Sequence, residues 1–230
     1  MSGSVVSPAL RQRVRDLATP VARALGRLGL TPNALTVIGF LGTCAAAFAA
    51  ASQAWLVAGI LVLVFGIFDL FDGTLARATG RVTKFGAFLD STFDRAGEAI
   101  VYVGIAIGCI AGGFDLGAVL AAAAMAAAFM VSYTRAKSES LGFTPGTGMA
   151  NVGLAPREVR IAILAIGLLL APTPLVRPMP VGPNGEICID QCLQAIAGGM
   201  LTISLAIIAI LATVTTMQRI LHVRAQSREG

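Results

Sequence analysis

Four aspartates lie in two closely spaced pairs within a largely apolar part of the sequence. Asp69 and Asp72 are three residues apart, and Asp90 and Asp94 are four residues apart. If both stretches are helical, the members of each pair share a helix face. Clustered carboxylates repel each other unless cations lie between them, and Mg²⁺ or Mn²⁺ take oxygen ligands that they share with substrate phosphates. The spacing predicts a site for two divalent cations on a diphosphate, with these four aspartates as ligands.

The residues around the first pair suit a bound phosphate. Gly73 removes a side chain where a ligand approaches, and Arg77, one turn further on, can bind a phosphate through its planar guanidinium. Gly86 begins the next helical stretch and permits close packing. The linker 79–85 is short, which predicts that the two acidic helices are antiparallel neighbours whose aspartates face each other.

Other interpretations of these acids stay open at this point. Arg77 and Arg95 can form salt bridges with some of the aspartates, but two arginines do not neutralise the whole acidic set. A proton or cation transport path also uses ionisable groups within a membrane, although transport does not require the run from Gly73 to Arg77. A membrane prenyltransferase also binds Mg²⁺-diphosphate, but the sequence has no second aspartate-rich site after the third apolar stretch.

The composition is typical of a membrane protein with several spans. Hydrophobic residues make up 56% of the 230 residues, and charged residues only 13%, whereas a soluble domain is about a quarter charged. Stretches long enough to cross a hydrocarbon core of about 30 Å lie at 34–52, 55–78, 86–112, 115–138, 157–173 and 193–218. The predicted fold class is all-α integral membrane, with one domain over 1–230 and a bundle of six transmembrane helices over 34–218.

The basic residues predict how the chain lies in the membrane. In segment 8–29, apolar residues recur at steps of three and four with arginines between them, which indicates an amphipathic helix in the membrane interface. Of 17 Lys and Arg residues, all except Arg177 lie at the termini, or in or near the even-numbered connections. The positive-inside rule then predicts a cell-membrane protein with both termini and the active site cytoplasmic. The loop 171–192 contains Cys188 and Cys192, which permit a disulfide in an oxidising compartment.

The aspartate region resembles the signature of the CDP-alcohol phosphotransferase family. That signature, D-x2-D-G-x2-A-R-x8-G-x3-D-x3-D, is matched at every fixed position by Asp69, Asp72, Gly73, Ala76, Arg77, Gly86, Asp90 and Asp94. The resemblance implies a membrane enzyme that transfers a phosphatidyl-type group from a CDP-activated lipid to an alcohol and releases CMP. It also implies six helices after an amphipathic N-terminal helix, and a homodimer.

The same resemblance implies roles for individual residues. Asp69, Asp72 and Asp90 are expected to hold two Mg²⁺ or Mn²⁺ ions, with Asp94 on the second ion and also acting as the general base. The segment 31–36 resembles the family segment that lines the cytidine pocket, and its Thr-Pro start also suits the beginning of a helix. The residues expected to bind the CDP-lipid are Asn33, Thr36, Gly73, Arg77 and Thr83.

A group of basic residues bears on the identity of the acceptor alcohol. Near the ends of predicted spans four and five lie Arg135, Lys137, Arg157 and Arg160. They agree with ordinary positive-inside charge, but a basic pocket also suits an acceptor that carries its own phosphate. The runs 132–139 and 153–160 resemble segments of phosphatidylinositol-phosphate synthases, although Arg and Lys are exchanged in the first run and are not interchangeable at a bidentate site. The predicted acceptor is inositol 1-phosphate, with glycerol 3-phosphate as the alternative and serine less favoured.

Overall fold

The computed structural model describes residues 19–143, 152–171 and 189–229, and this part of the chain contains helices and no strand. The helices are α1 over 19–27, α2 Pro32–Ala51, α3 Trp55–Ala78, α4 Lys84–Ala111, α5 Asp115–Ser140, α6 Arg157–Leu170 and α7 Ile189–Glu229. The first half of the predicted helix 8–29 lies outside the described residues. So does Cys188, and with it any pairing to Cys192.

Threonine side chains begin two of the helices that carry predicted site residues. Thr31 Oγ1 accepts a hydrogen bond from the Ala34 N–H at 3.2 Å, with Pro32 at the first helical position of α2. Thr83 Oγ1 accepts from the Gly86 N–H at 2.9 Å at the start of α4. Each threonine satisfies an N–H that has no partner within its helix. The helix-start interpretation of the Thr-Pro pair is confirmed, and Thr83 has a structural role at the site.

The six long helices form a closed ring in which each packs chiefly against two others. The order around the ring is α2, α3, α6, α7, α5, α4 and back to α2. The prediction that α3 and α4 pack directly against each other is therefore wrong, since both lie along α2 instead. A short linker brings the ends of two helices together without making them pack along their length. The two acidic helices consequently diverge from their shared connection, with α2 between them.

One face of α4 sets both its packing and the direction of its aspartates. Asp90, Asp94, Gly104 and Gly108 all follow the same three- and four-residue repeat, so they share a face. A Cβ atom on Gly104 would lie 2.2 Å from the Ala47 carbonyl oxygen, and the corresponding atom on Gly108 would overlap the next turn of α2 equally. Only glycine permits this approach. The glycines thus fix the face of α4 that meets α2, and the aspartates extend that face to the start of the helix.

Four described helical segments are long and apolar enough to cross a membrane: Pro32–Ala51, Trp55–Ala78, Asp115–Ser140 and Gly199–Arg228. Helix α4 has 28 residues but includes several charged side chains, and α6 has 14 residues. At ~1.5 Å per residue, the 14 residues of α6 span about 21 Å. This length is less than the thickness of a typical hydrocarbon core. The last helix continues to Glu229, beyond the predicted end at 218, because no Gly or Pro interrupts it there.

Helix α1 packs against the ends of α2 and α3. Ala22 is fully buried in a small cluster with Leu35 and Leu75, while Val21 and Leu28 are 45% and 78% exposed. The described part of the N-terminal segment therefore has one face on the bundle and leaves apolar side chains free on another. An interfacial position for this segment stays a prediction.

Candidate active site

A cleft of about 270 Å³ opens where the start of α2, the end of α3 and the start of α4 meet. The residues predicted to bind the CDP-lipid all line it: Asn33, Thr36, Gly73, Arg77 and Thr83. Asp72 and Asp90 also face this cleft. Three separate parts of the sequence thus line one opening. The reason is that α3 and α4 diverge from their short connection, and α2 lies between them.

Asp72 and Asp90 bring carboxylates into the cleft, and neither forms an ion pair among the described residues. Asp72 is 5% exposed, and its Oδ2 accepts a hydrogen bond from Thr36 Oγ1 at 2.7 Å. Its Oδ1 accepts from the backbone N–H of Gly73. Asp90 is half-buried and forms no hydrogen bond or ion pair within the described part of the chain. Charge of this kind in a partly desolvated cleft favours a bound cation.

Asp69 and Asp94 are joined by the guanidinium of Arg157. Arg157 Nη2 donates a hydrogen bond to Asp69 Oδ2 at 2.7 Å, and its Nη1 forms an ion pair with Asp94 Oδ1 at 2.8 Å. The three side chains are 26%, 21% and 17% exposed, in that order, so solvent screens these ion pairs only partly. Arg95 Nη1 is 4.0 Å from Asp94 Oδ2. The cation between the aspartates is therefore Arg157, which is 88 residues from Asp69 in sequence, and not Arg77 or Arg95.

The four aspartates form a donor set that fits divalent cations, although their present positions do not close on one ion. No three acidic, His or Cys side chains among the described residues converge as a metal-binding group. Asp72 and Asp90 nevertheless face one cleft, and a single planar guanidinium spans the distance between Asp69 and Asp94. Carboxylate oxygens from two helices are ligands that hard cations prefer. The assignment of these four residues as ligands stays a prediction.

Arg160 forms a buried ion pair that holds α6 to α4. Its Nε and Nη2 donate to the two carboxylate oxygens of Glu98 at 2.8 Å and 2.9 Å, and its Nη1 donates to the Ala155 carbonyl at 2.9 Å. Arg160 is 1% exposed. All three guanidinium nitrogens are thus engaged within the protein. The sequence predicts Arg160 as an acceptor ligand, and the structure adds a partner, Glu98, that the sequence analysis did not identify.

The predicted acceptor residues lie in two different places. Arg157 and Arg160 line a small cavity of about 40 Å³ next to Asp69. Arg135 and Lys137 are exposed on the last turns of α5, outside the lining of both cavities described above. Arg135 Nε donates to Glu139 Oε1 at 2.8 Å, one turn along the same helix. The structure brings Arg157 and Arg160 together beside the aspartates but does not bring Arg135 and Lys137 to the same cavity.

A family model for CDP-alcohol phosphatidyltransferase matches residues 29–225. The chain belongs to the CDP-alcohol phosphatidyltransferase family. It is a membrane enzyme of this family, and the resemblance drawn from the aspartate signature is confirmed. Membership in a family of transferases does not support the alternative of an intramembrane cation transporter.

Several known proteins resemble this CDP-alcohol phosphatidyltransferase over most of its length. The archaetidylinositol phosphate synthase of Pyrococcus horikoshii is 39% identical over 160 residues, which cover 70% of this chain and 80% of that protein. The phosphatidylinositol phosphate synthase of Cutibacterium acnes is 33% identical over 207 residues, covering 89% and 91%.

A solved structure has the same fold. The crystal structure of Mycobacterium tuberculosis phosphatidylinositol phosphate synthase with CDP-DAG bound superposes with a TM-score of 0.71 at 27% identity, covering 90% of this chain and 94% of that chain. A second structure of that enzyme, in complex with manganese and citrate, gives a TM-score of 0.71 at 28% identity and covers 90% and 88%. A homologue of this transferase thus binds manganese.

Helix α7 of this CDP-alcohol phosphatidyltransferase holds the segment that leads into α6. Thr215 Oγ1 accepts from the backbone N–H groups of Leu154 and Ala155 at 3.1 Å and 2.9 Å. One turn on, Arg219 Nε donates to the Val152 carbonyl at 3.0 Å, and its Nη1 donates to the Val131 carbonyl. Thr215 and Arg219 are 0% and 4% exposed. Sequence reasoning missed both residues. The available signal was an uninterrupted helical pattern past 218, which places Arg219 inside a helix.

Gly153 permits this contact between the segment and α7. Its φ of +122° is a conformation that favours glycine, and a Cβ atom on it would lie 2.2 Å from Thr215 Cγ2. The segment therefore lies directly on α7 and is fixed there by two hydrogen bonds to one hydroxyl. This anchoring places the first turn of α6, and with it Arg157, next to the aspartates.

Proposed function

We propose that this enzyme transfers a phosphatidyl group from CDP-diacylglycerol to inositol 1-phosphate and releases CMP. The observation that carries the proposal is the cleft of about 270 Å³, where the residues predicted for the CDP-lipid lie together with two signature aspartates. The similar proteins from Pyrococcus and Cutibacterium are both named as synthases of inositol phosphate lipids, which favours inositol 1-phosphate as the acceptor.

The cleft residues give the CDP-lipid its position. Arg77 binds a phosphate of the diphosphate through its guanidinium fork, Asn33 lines the cytidine pocket, and Thr83 contacts the CDP part. Thr36 holds the carboxylate of Asp72 in one orientation through its hydrogen bond. Two Mg²⁺ or Mn²⁺ ions, held by the four signature aspartates, would neutralise the diphosphate and improve CMP as a leaving group.

Asp94 acts as the general base. Its Oδ1 lies 2.8 Å from Arg157 Nη1, so the proposed base is next to an arginine that is predicted to bind the acceptor. Asp94 takes the proton of the acceptor hydroxyl, the hydroxyl oxygen attacks the β-phosphorus, and the bond from that phosphorus to the CMP oxygen breaks. Among the basic side chains predicted for the acceptor, Arg157 is the one beside Asp94, and it holds the phosphate of inositol 1-phosphate there.

The remaining features of the proposal concern the membrane. The chain is proposed to form one domain over 1–230, with α2 to α7 as six spans and the N-terminal segment in the interface. The termini and the aspartates are proposed to be cytoplasmic, because almost all Lys and Arg lie at that end of the predicted spans. The enzyme is proposed to act as a homodimer, for which small residues along α5 permit close helix packing.

A direct assay tests the activity and the acceptor together. The purified full chain in lipid is incubated with CDP-diacylglycerol and Mg²⁺ or Mn²⁺, and CMP release is measured with inositol 1-phosphate, glycerol 3-phosphate, inositol or serine offered separately. The expected result is cation-dependent release with inositol 1-phosphate alone. Release with glycerol 3-phosphate or serine would keep the aspartate chemistry and contradict the acceptor. Release with none of them would contradict the proposed lipid substrate or reaction.

A further inference from the structure

Arg157 lies between the carboxylates of Asp69 and Asp94, which the proposed reaction needs as cation ligands and, for Asp94, as the general base. Its Nη2 and Nη1 lie 2.7 Å from Asp69 and 2.8 Å from Asp94, on α3 and α4 respectively. The two carboxylate oxygens in these ion pairs belong to the predicted cation ligands. A guanidinium and a divalent cation cannot both lie between the same carboxylate oxygens, because their charges repel at that distance. Arg157 and the cations therefore compete for Asp69 and Asp94.

The two neighbouring arginines of α6 differ in how firmly they are held. Arg160 is 1% exposed and all its nitrogens donate within the protein, to Glu98 and to the Ala155 carbonyl. The side chain of Arg157 is 26% exposed, and its buried Nε has no hydrogen-bond partner in the described part of the chain. Arg160 is thus a fixed connection between helices, whereas Arg157 is held, among the residues that the structure describes, by the two aspartates alone.

The backbone under Arg157 is anchored independently of the aspartates. Thr215 fixes the N–H groups of Leu154 and Ala155, and Arg160 fixes the first turn of α6 from the other side. Release of the aspartates therefore requires only a rotation of the Arg157 side chain. The small cavity of about 40 Å³ beside it, which Arg157 already lines, lies next to Asp69.

We propose that Arg157 is an exchangeable counter-cation that couples cation binding to acceptor binding. It neutralises Asp69 and Asp94 when no divalent cation is bound, and it moves to the phosphate of the acceptor when cations take these carboxylates. Its planar fork fits a phosphate as well as it fits two carboxylates. This inference rests on the proposed cation binding and the phosphorylated acceptor. It predicts that each ligand strengthens the binding of the other by the same factor.

The test measures Mn²⁺ binding without turnover. The full chain in lipid nanodiscs is titrated with Mn²⁺, with free Mn²⁺ followed by electron paramagnetic resonance, in the absence of CDP-lipid. The titration is repeated with inositol 1-phosphate and with inositol, which lacks the phosphate. In the unaltered protein, inositol 1-phosphate is expected to raise the Mn²⁺ affinity by roughly tenfold, within the usual range of allosteric coupling, and inositol is expected to have no effect.

Substitution of Arg157 should remove the competition and the coupling together. Arg157→Gln is expected to bind Mn²⁺ more tightly than the unaltered protein, with no further gain from inositol 1-phosphate. Arg95→Gln is the matched control, since it removes a charge 4.0 Å from Asp94 that does not bridge to Asp69, and it should keep the coupling. Arg157→Lys keeps the charge but not the fork, so its coupling should be weaker than in the unaltered protein.

Several outcomes would overturn the proposal. The first is that Arg157→Gln binds Mn²⁺ no more tightly than the unaltered protein. The second is that inositol 1-phosphate still raises the Mn²⁺ affinity of that variant. The third is that Arg95→Gln gains as much Mn²⁺ affinity as Arg157→Gln. Absence of Mn²⁺ binding or of coupling in the unaltered protein would overturn it as well. If Arg157→Gln does not fold, undiminished coupling in Arg157→Lys has the same meaning. The Mn²⁺ titration contains no CDP-lipid and therefore does not depend on turnover. If coupling is found in this titration but the separate assay shows no CMP release, the result contradicts the proposed function and leaves the role of Arg157 supported.

Discussion

Thr36 on α2 donates a 2.7 Å hydrogen bond to the buried carboxylate of Asp72 on α3. The bond joins the segment predicted to bind cytidine to the first aspartate pair. Its two residues are 36 positions apart in the sequence and lie on neighbouring helices. It holds one carboxylate oxygen in a fixed direction, and the Gly73 N–H holds the other. The orientation of Asp72 in the cleft thus depends on a residue of a different helix.

We expect Thr36→Val to weaken the site without changing its shape. The substitution removes the donor to a buried carboxylate, an interaction that contributes about 1.5–3 kcal/mol when one partner is charged. Mn²⁺ affinity and the KM for CDP-diacylglycerol should both worsen, as measured by titration and by CMP release. Thr36→Ser retains the hydroxyl and serves as the control. Unchanged values in the valine variant would show that the bond does not position Asp72.

Asp94→Asn should remove the general base. The amide cannot accept the proton of the acceptor hydroxyl, so kcat is expected to fall by about 10²- to 10⁴-fold. CMP release is measured under saturating CDP-diacylglycerol and inositol 1-phosphate, and size-exclusion chromatography checks folding. Asp115→Asn alters an exposed acid at the start of α5 and should leave kcat unchanged. Full turnover by Asp94→Asn would contradict the assignment of the base.

Glu98→Gln should destabilise the bundle more than it affects chemistry. Arg160 and Glu98 have side chains that are 2% and 11% exposed, and loss of one partner in such a pair costs about 3–5 kcal/mol because the other charge stays buried. Thermal unfolding in detergent measures the change. The exposed pair of Arg135 and Glu139 offers the control Glu139→Gln, which should change stability by less than about 1 kcal/mol. Equal effects of the two substitutions would contradict the structural role of Arg160.

Thr215→Val should affect the acceptor more than the CDP-lipid. It leaves two backbone N–H groups before α6 without their acceptor, so the first turn of α6 and Arg157 should be positioned less well. The KM for inositol 1-phosphate is expected to rise with little change in the KM for CDP-diacylglycerol. Thr215→Ser should restore both values, and Thr213→Val, on the exposed side of α7, should change neither. An equal rise in both KM values would indicate a general loss of structure.

Much of the local structure follows from the sequence because it depends on near neighbours. The bounds of α3 and the start of α5 were predicted to the residue, since apolar runs and helix-breaking connections mark them directly. The Thr31-Pro32 start of α2 follows from the same kind of signal. The grouping of Gly73 and Arg77 with Asn33 in one cleft came from the family resemblance, and not from the residues themselves.

What the sequence by itself determined is the chemistry available: carboxylate pairs on shared helix faces, basic residues near them, and apolar helices to carry both. What only the tertiary structure decided is which groups meet. Asp69 and Asp94 meet at Arg157, Arg160 meets Glu98, and α2 separates α3 from α4. These contacts depend on how helices that are distant in sequence approach and rotate against each other. Steric packing at positions such as Gly104 sets that approach. The periodicity of one helix shows which residues share a face, but it does not show which other helix that face meets.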